Sequence, residues 1–284
     1  MNITELQTFL AIIECGSLVR ASRRLNVTQS TVTARLKTLE EGLGQSLVNR
    51  QKSGVTLTPA GVRLLRYATT ITDLWRQARQ ETSLPNGLNS VCNIACETDL
   101  WPGLGERFFA TLRDRHPDVG ISVWTGSQAE VAGWMARGLS DLAFTYRPAA
   151  VGGLEQIELP SDELVLVSTD PDSPMRFDPG YVFVEAGEEY GRDHAIAYAD
   201  ASTPRLSFGN ACLGLQHLET AGGTAYLPLR LSRPGLERGF FYRIEAPVFT
   251  RRVFLTANAT ALKAWTWMDA CLASALEEAA QTGS

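Results

Sequence analysis

The chain has 284 residues, more than one compact domain usually needs, and its 44% hydrophobic and 20% charged residues are those of an ordinary globular protein. The opening MNITELQTFL lacks the basic and apolar regions of a secretory leader, no apolar run approaches the roughly 18 residues of a membrane span, and the five cysteines are odd in number and scattered; a disulfide scaffold or membrane protein is therefore not expected, and a cytoplasmic one is. The net charge of −5 hides an asymmetry: residues 1–80 hold eleven Lys and Arg against five Asp and Glu, the remainder fifteen against twenty-six, as expected of a small module that meets a polyanion joined to a larger one that does not.

In residues 4–14, Leu6, Phe9, Leu10 and Ile13 recur at three- and four-residue steps, the stripe of a helix. Gly16 ends it, and the Ser17 hydroxyl caps a second helix, SLVRASRRL, which buries Leu18, Ala21 and Leu25 and turns Arg20, Arg23 and Arg24 outward. After the turn Asn26-Val27, Thr28 caps a third helix predicted from Gln29 to about Leu43, with Val32, Leu36, Leu39 and Leu43 inward and Gly44 at its C-cap. Its opening carries Gln29, Ser30, Thr31, Thr33 and Arg35, and short hydroxyl and amide side chains there reach base edges when a helix enters the major groove by its N-terminus. An ordinary polar helix start looks the same in isolation, so the next segment decides. Ser46-Leu47-Val48 and Val55-Thr56-Leu57 read as short strands joined at Lys52-Ser53-Gly54, and the hairpin bears Arg50 and Lys52. A basic two-stranded wing behind such a helix clamps the phosphate backbone. Residues 1–58 thus read as an all-α winged helix-turn-helix for double-stranded DNA, with contacts expected from Thr28, Gln29, Ser30, Thr31, Thr33, Arg35, Arg50 and Lys52.

Thr58-Pro59-Ala60-Gly61 starts a fourth helix that runs to about Thr82, and Leu84-Pro85-Asn86-Gly87 breaks it, giving a linker helix and hinge over residues 59–87. Leu64, Ala68, Ile71, Trp75 and Ala78 form a seam at alternating four- and three-residue steps. The seam fits either a partner helix or the chain's own domains. Two wings on one DNA need a two-fold partner, which favours a homodimer and leaves open a homotetramer.

The run LQTFLAIIECGSLVRASRRLNVTQSTVTARLKTLEEGLGQSLVNR, followed by LTPAG, resembles the LysR-type transcriptional regulators over residues 3–80. Weaker landmarks follow at His116-Pro117-Asp118-Val119, Gly138-Leu139-Ser140-Asp141-Leu142-Ala143 and Gly222-Gly223-Thr224-Ala225-Tyr226-Leu227-Pro228. The resemblance implies Gln29, Ser30 and Thr33 at bases or nearby phosphates with Arg35 beside them, Arg50 and Lys52 on the backbone, an interrupted palindromic operator, and RNA polymerase as a further candidate partner. Ser30 stands where many relatives have proline, Leu47-Val48 replaces a frequent Leu-Phe, and Asp172-Ser173-Pro174-Met175 departs from the usual His-Pro-Leu segment.

From residue 91 strands alternate with helices, the pattern of an α/β domain with a mainly parallel sheet. Strands are predicted at 91–96, 119–124, 140–145, 163–168, 181–185, 205–209, 224–227 and 252–257, and helices at 100–115, 127–138, 190–200, 211–221 and 260–279. Such sheets bind ligands beyond the carboxyl ends of their strands, which nominates Glu97, Thr98, Asp99, Thr125, Gly126, Ser127, Thr145, Tyr146, Glu185 and Asn210. Ser127 caps a helix whose exposed amides could hold an anion. Glu97, Asp99 and Glu185, with Trp101, Trp124 and Tyr146 near, lean towards a ligand bearing positive charge. The resemblance adds two lobes like those of periplasmic binding proteins within an effector-binding domain at 88–284. Lobe I covers about 90–160 and 252–280, lobe II about 161–251, and a small-molecule effector sits between them.

No cofactor or metal is expected. Cys92 and Cys96 on a strand would lie roughly 13 Å apart, beyond the about 7 Å a disulfide spans, and read as buried structural thiols. His116, His194 and His217 lack zinc spacing, and Glu188, Glu189, Asp193 and His194 read as a solvated helix start. No nucleophile elbow, Walker loop or dinucleotide fingerprint occurs. The competing classes are an α/β enzyme fused to a DNA-binding module and an architectural DNA binder without a ligand.

Overall fold

The computed structural model describes residues 2–51, 54–84, 86–148, 154–173, 180–200, 203–258 and 265–281. It divides into two compact units, Met1–Asn86 and Gly87–Ser284.

The first unit comprises α1 (Ile3–Cys15), α2 (Leu18–Arg24), α3 (Gln29–Leu43), β1 (Val48–Gln51), β2 (Gly54–Leu57) and α4 (Pro59–Thr82). A capping box opens α1: Asn2 Oδ1 accepts from the Glu5 amide and the Glu5 carboxylate accepts from the Asn2 amide. Gly16 closes it at φ 62, a left-handed conformation that a Cβ would strain, and its carbonyl accepts from Val55 N at 3.1 Å, so the same turn seats the wing. Leu6, Phe9, Ile12, Ala21, Val32, Leu36, Leu39 and Ala68 form the core. Leu43 is not among them: the last turn of α3, from Glu41 to Gly44, is exposed throughout. The Thr58 hydroxyl accepts from Gly61 N at 3.0 Å, capping α4, and donates to Ser46 O at 2.7 Å, which fixes the base of the wing. A Cβ at position 61 would lie 2.0 Å from Leu47 O, so glycine is what lets α4 start against the wing.

The second unit contains β3 (Ser90–Glu97), α5 (Glu106–Arg115), β4 (Val119–Gly126), α6 (Gln128–Ala136), β5 (Leu142–Thr145), β6 (Leu154–Ser168), β7 (Tyr181–Val184), α7 (Glu188–Ala197), β8 (Leu206–Phe208), α8 (Ala211–Ala221), β9 (Thr224–Pro228), α9 (Leu229–Glu237), β10 (Tyr242–Arg243), β11 (Phe249–Asn258) and α10 (Met268–Gln281). The strand order is β4-β3-β5-β11-β6-β9-β7-β8, with β10 beside β6. Two lobes meet at β6 and β11, which pair antiparallel from Leu154↔Asn258 to Leu164↔Phe249 with an irregularity between Arg251 and Val253. On one side Ile94, Leu100, Phe108, Phe144 and Leu255 pack together; on the other, Val165, Val182, Leu218 and Leu227 do.

The expected mainly parallel sheet is instead mixed. The pairings β3–β4, β3–β5, β7–β8 and β7–β9 are parallel, whereas β11–β5, β11–β6, β6–β9 and β10–β6 are antiparallel, because the chain crosses between lobes and returns. The strand expected at 163–168 begins at Leu154; its first half is mostly exposed and holds Pro160, so no apolar alternation announced it. The helix expected from residue 100 becomes regular only at Glu106, since Pro102 and Gly103 have non-helical dihedrals. Of the helix expected over 260–279, residues 260–264 lie outside the described residues. Helix α9 escaped the sequence reading because Pro234 interrupts its pattern.

Candidate DNA interface and effector cleft

The tip of α3 is built by its cap. Thr28 takes an extended conformation, and its hydroxyl accepts from Thr31 N at 3.2 Å and lies 2.8 Å from both Ser30 Oγ and Thr31 Oγ1. Burial of Val32, Leu36 and Leu39 sets the rotation of the helix, leaving Thr28, Gln29 and Ser30 exposed and Thr31, Thr33 and Arg35 half-buried. Arg50 is exposed on β1 opposite Val55, and Lys52 lies outside the described residues. One tie had no sequence signal: Glu40 Oε1 accepts from Leu47 N at 2.7 Å and Val48 N at 3.4 Å, joining the wing to the back of the same helix.

The expected α4 seam is corrected in its first half. Ala68 is fully buried in the core of its own unit and Leu64 packs on that core, because α4 lies against α1 there. The outward stripe is Tyr67, Ile71, Leu74, Trp75 and Ala78, with Trp75 49% exposed. Trp75 also lines a cavity of about 330 Å³ with Gln7, Thr72, Arg76 and Arg79.

In the second unit the lobes meet through charge. Asp99, after β3, accepts at Oδ1 from Ala211 N (2.8 Å) and Cys212 N (3.3 Å), so a lobe I carboxylate fills the N-terminus of α8 in lobe II, where Asn210 is the side-chain cap. Arg230 of α9 donates to Asp162 Oδ2 (3.0 Å), to the Tyr146 hydroxyl (3.0 Å) and to the carbonyls of Asp99 and Pro102. Tyr146 in turn donates to Asp162 at 2.8 Å. Burial opposes the charge of Arg230, but Asp162 and Tyr146 outweigh it and raise its pKa. Arg251, from β11, stacks its guanidinium 3.2 Å from the Tyr146 ring centroid, and its buried Nη1 lies 4.0 Å from Asp99 Oδ2 with no hydrogen-bond partner among the described residues. Glu97 is buried, accepts from Tyr146 N at 2.9 Å, and has its pKa raised by burial.

Glu97, Asp99, Tyr146 and Asn210 therefore converge. Thr98 joins them to the end of β4 by donating to Gly126 O at 3.2 Å. Thr125 is exposed on β4 itself, opposite Cys96. The anion seat expected at Ser127 is already taken: its amide and hydroxyl both donate to Glu130 Oε2, at 2.8 and 2.7 Å. Thr145 spends its hydroxyl on Arg147 O, and Glu185 is exposed and folds onto Gly187 N. Asp162, Arg230 and Arg251 were missed, since charged residues on a strand or an unrecognised helix carry no sign of burial. His194, expected at a solvated helix start, is buried among Tyr181, Phe183, Tyr190, Tyr226 and Phe249, with Nε2 2.8 Å from the Tyr181 hydroxyl. Cys92 and Cys96 are buried free thiols.

Residues 3–62 match the family described as "Bacterial regulatory helix-turn-helix protein, lysR family", and residues 85–271 match the "LysR substrate binding domain". The chain belongs to the LysR family of transcriptional regulators. This LysR-type regulator is 27% identical over 239 residues to the transcriptional regulator HdfR of Yersinia enterocolitica, covering 80% of this chain and 81% of that one. It is 35% identical over 170 residues to YofA of Bacillus subtilis, 60% of this chain and 59% of that one. Its fold is similar to that of full-length LysG from Corynebacterium glutamicum with bound effector Arg, with a TM-score of 0.53 and 21% identity over 98% of this chain and 99% of that one. The regulator thus combines a DNA-binding helix-turn-helix with a two-lobed effector-binding domain, and its relatives are named as regulators rather than enzymes. Among the described residues no helix is long and apolar enough to cross a membrane.

Proposed function

We propose that α3 reads operator bases in the major groove through Gln29, Ser30 and Thr33, with Thr28, Thr31 and Arg35 at bases or adjacent phosphates and Arg50 and Lys52 on the backbone. The observation that carries this reading is the exposed, capped polar tip of α3, rigidly mounted on Val32, Leu36 and Leu39. The outward stripe of α4 supports a homodimer, or a tetramer built from dimers, on an interrupted palindrome in the cytoplasm, with RNA polymerase as the further partner in activation. The effector enters between the lobes. Buried Arg251 Nη1, short of an acceptor, supports a polar small molecule there, and Asp99 on the α8 terminus is the contact such a molecule has to coexist with or displace. LysG, which shares the fold, has bound effector Arg.

Selection from a random duplex pool tests this. The full chain is expected to enrich two half-sites about one helical turn apart or a multiple of it, and a polar ligand of the cleft is expected to raise its melting temperature. A pool that returns without a shared motif contradicts sequence-specific binding.

A further inference from the structure

The Thr28 hydroxyl has one proton and two lone pairs, and three neighbours make claims on it. One lone pair accepts the Thr31 amide at 3.2 Å. The two remaining neighbours, Ser30 Oγ and Thr31 Oγ1, each lie 2.8 Å away. Thr28 can donate to only one of them, and its second lone pair accepts from the other. The hydroxyl that receives Thr28's proton keeps its own to donate outward. The hydroxyl that donates to Thr28 shows only lone pairs outward. Reversing the proton order exchanges the roles but leaves the outward sum unchanged. Both hydroxyls lie at 2.8 Å from one atom, so they are no further apart than twice that distance, within reach of one base pair or one step.

We propose that Thr28 couples Ser30 and Thr31 into a single reading unit that offers DNA one donor and one acceptor together. In the major groove an adenine edge presents an acceptor at N7 and a donor at N6, which this unit meets; a guanine edge presents two acceptors, N7 and O6, which would need two donors. Ser30 and Thr31 are then a specificity-determining pair beside Gln29, and Thr28, whose hydroxyl is fully used within the cap, is a positioning residue acting through them. A proline at position 30 would have no hydroxyl to couple, so Ser30 makes the unit possible. The inference rests on α3 being the base-reading helix.

A double-substitution cycle tests it, with affinities taken by fluorescence anisotropy at one salt concentration on operator duplexes carrying adenine or guanine at each half-site purine. The wild type is expected to show a guanine penalty of about tenfold at one such position. Ser30→Ala and Thr31→Val should each remove most of that penalty, and the double variant should remove little more. Glycine is a nearly neutral replacement at a helix N-cap. In a Thr28→Gly background the penalty should therefore shrink while the melting temperature holds, and the two substitutions should act independently. Thr28→Ser should restore both the penalty and the coupling. Independent, multiplying losses in the wild-type background overturn the proposal, as does a penalty untouched by either single substitution. If α3 does not read bases at all, Gln29→Ala would also leave the operator-to-random affinity ratio unchanged, which separates that failure from this one.

Discussion

Glu97 illustrates what burial does to one side chain at the lobe boundary. Its folded pKa lies above the 4.5 of the free group chiefly because ionisation is penalised away from water. The protonated form is therefore favoured by folding, and its contribution to stability is complete below pH 4.5 and lost as pH rises through the folded value. Glu97→Gln keeps an oxygen for Tyr146 N but cannot ionise. The variant is expected to melt above the wild type at pH 7, with the gap closing towards pH 4, as calorimetry across that range would record. A lower melting temperature at pH 7 would mean that attraction to Arg251 exceeds the cost of burying the charge. Glu97, Asp99 and Tyr146 were legible in the sequence as strand-end residues. Their partners were not: Arg230 reaches back to the Asp99 carbonyl across 131 residues of chain, and no local pattern carries that separation.

Helices with a matched cap and a full apolar period were the readable elements. Thr28, Gly44 and the 32-36-39 spacing set α3 from the letters alone, as Thr58 and Pro59 set the start of α4. Periodicity could not tell which wall each turn of α4 would face. One face of α4 packs on α1, which consumes Leu64 and Ala68, and another presents Tyr67, Ile71, Leu74 and Trp75 outward. Trp75 is the test of that face, since its exposure means that a charge there leaves the core of its own unit intact. Trp75→Glu is expected to yield a folded monomer with weak operator affinity, because the charge would be buried when two copies meet. Sedimentation showing an intact oligomer with full operator binding would place the self-association surface elsewhere. The first half of β6 resisted reading for a different reason: an exposed, proline-containing stretch lacks the alternation that marks a half-buried strand.

At the scale of the whole molecule the charge is divided by task. The basic excess of residues 1–80 belongs to the unit with the helix-turn-helix, and the acidic excess to the effector-binding unit, whose lobes are joined by Asp99, Asp162 and Arg230. On the proposed reading, backbone affinity and base reading separate within the first unit, with Arg50 assigned to phosphate in any sequence and Gln29 to a base in one. The most direct measurement titrates wild type, Gln29→Ala and Arg50→Ala against operator and unrelated DNA over a range of salt. Arg50→Ala is expected to weaken both DNAs alike and to reduce the salt slope by about 1. Gln29→Ala is expected to cost roughly 1–3 kcal/mol on the operator alone, leaving unrelated DNA and the salt slope unchanged. Equal losses for Gln29→Ala on operator and unrelated DNA would contradict the assignment of α3 as the base-reading helix.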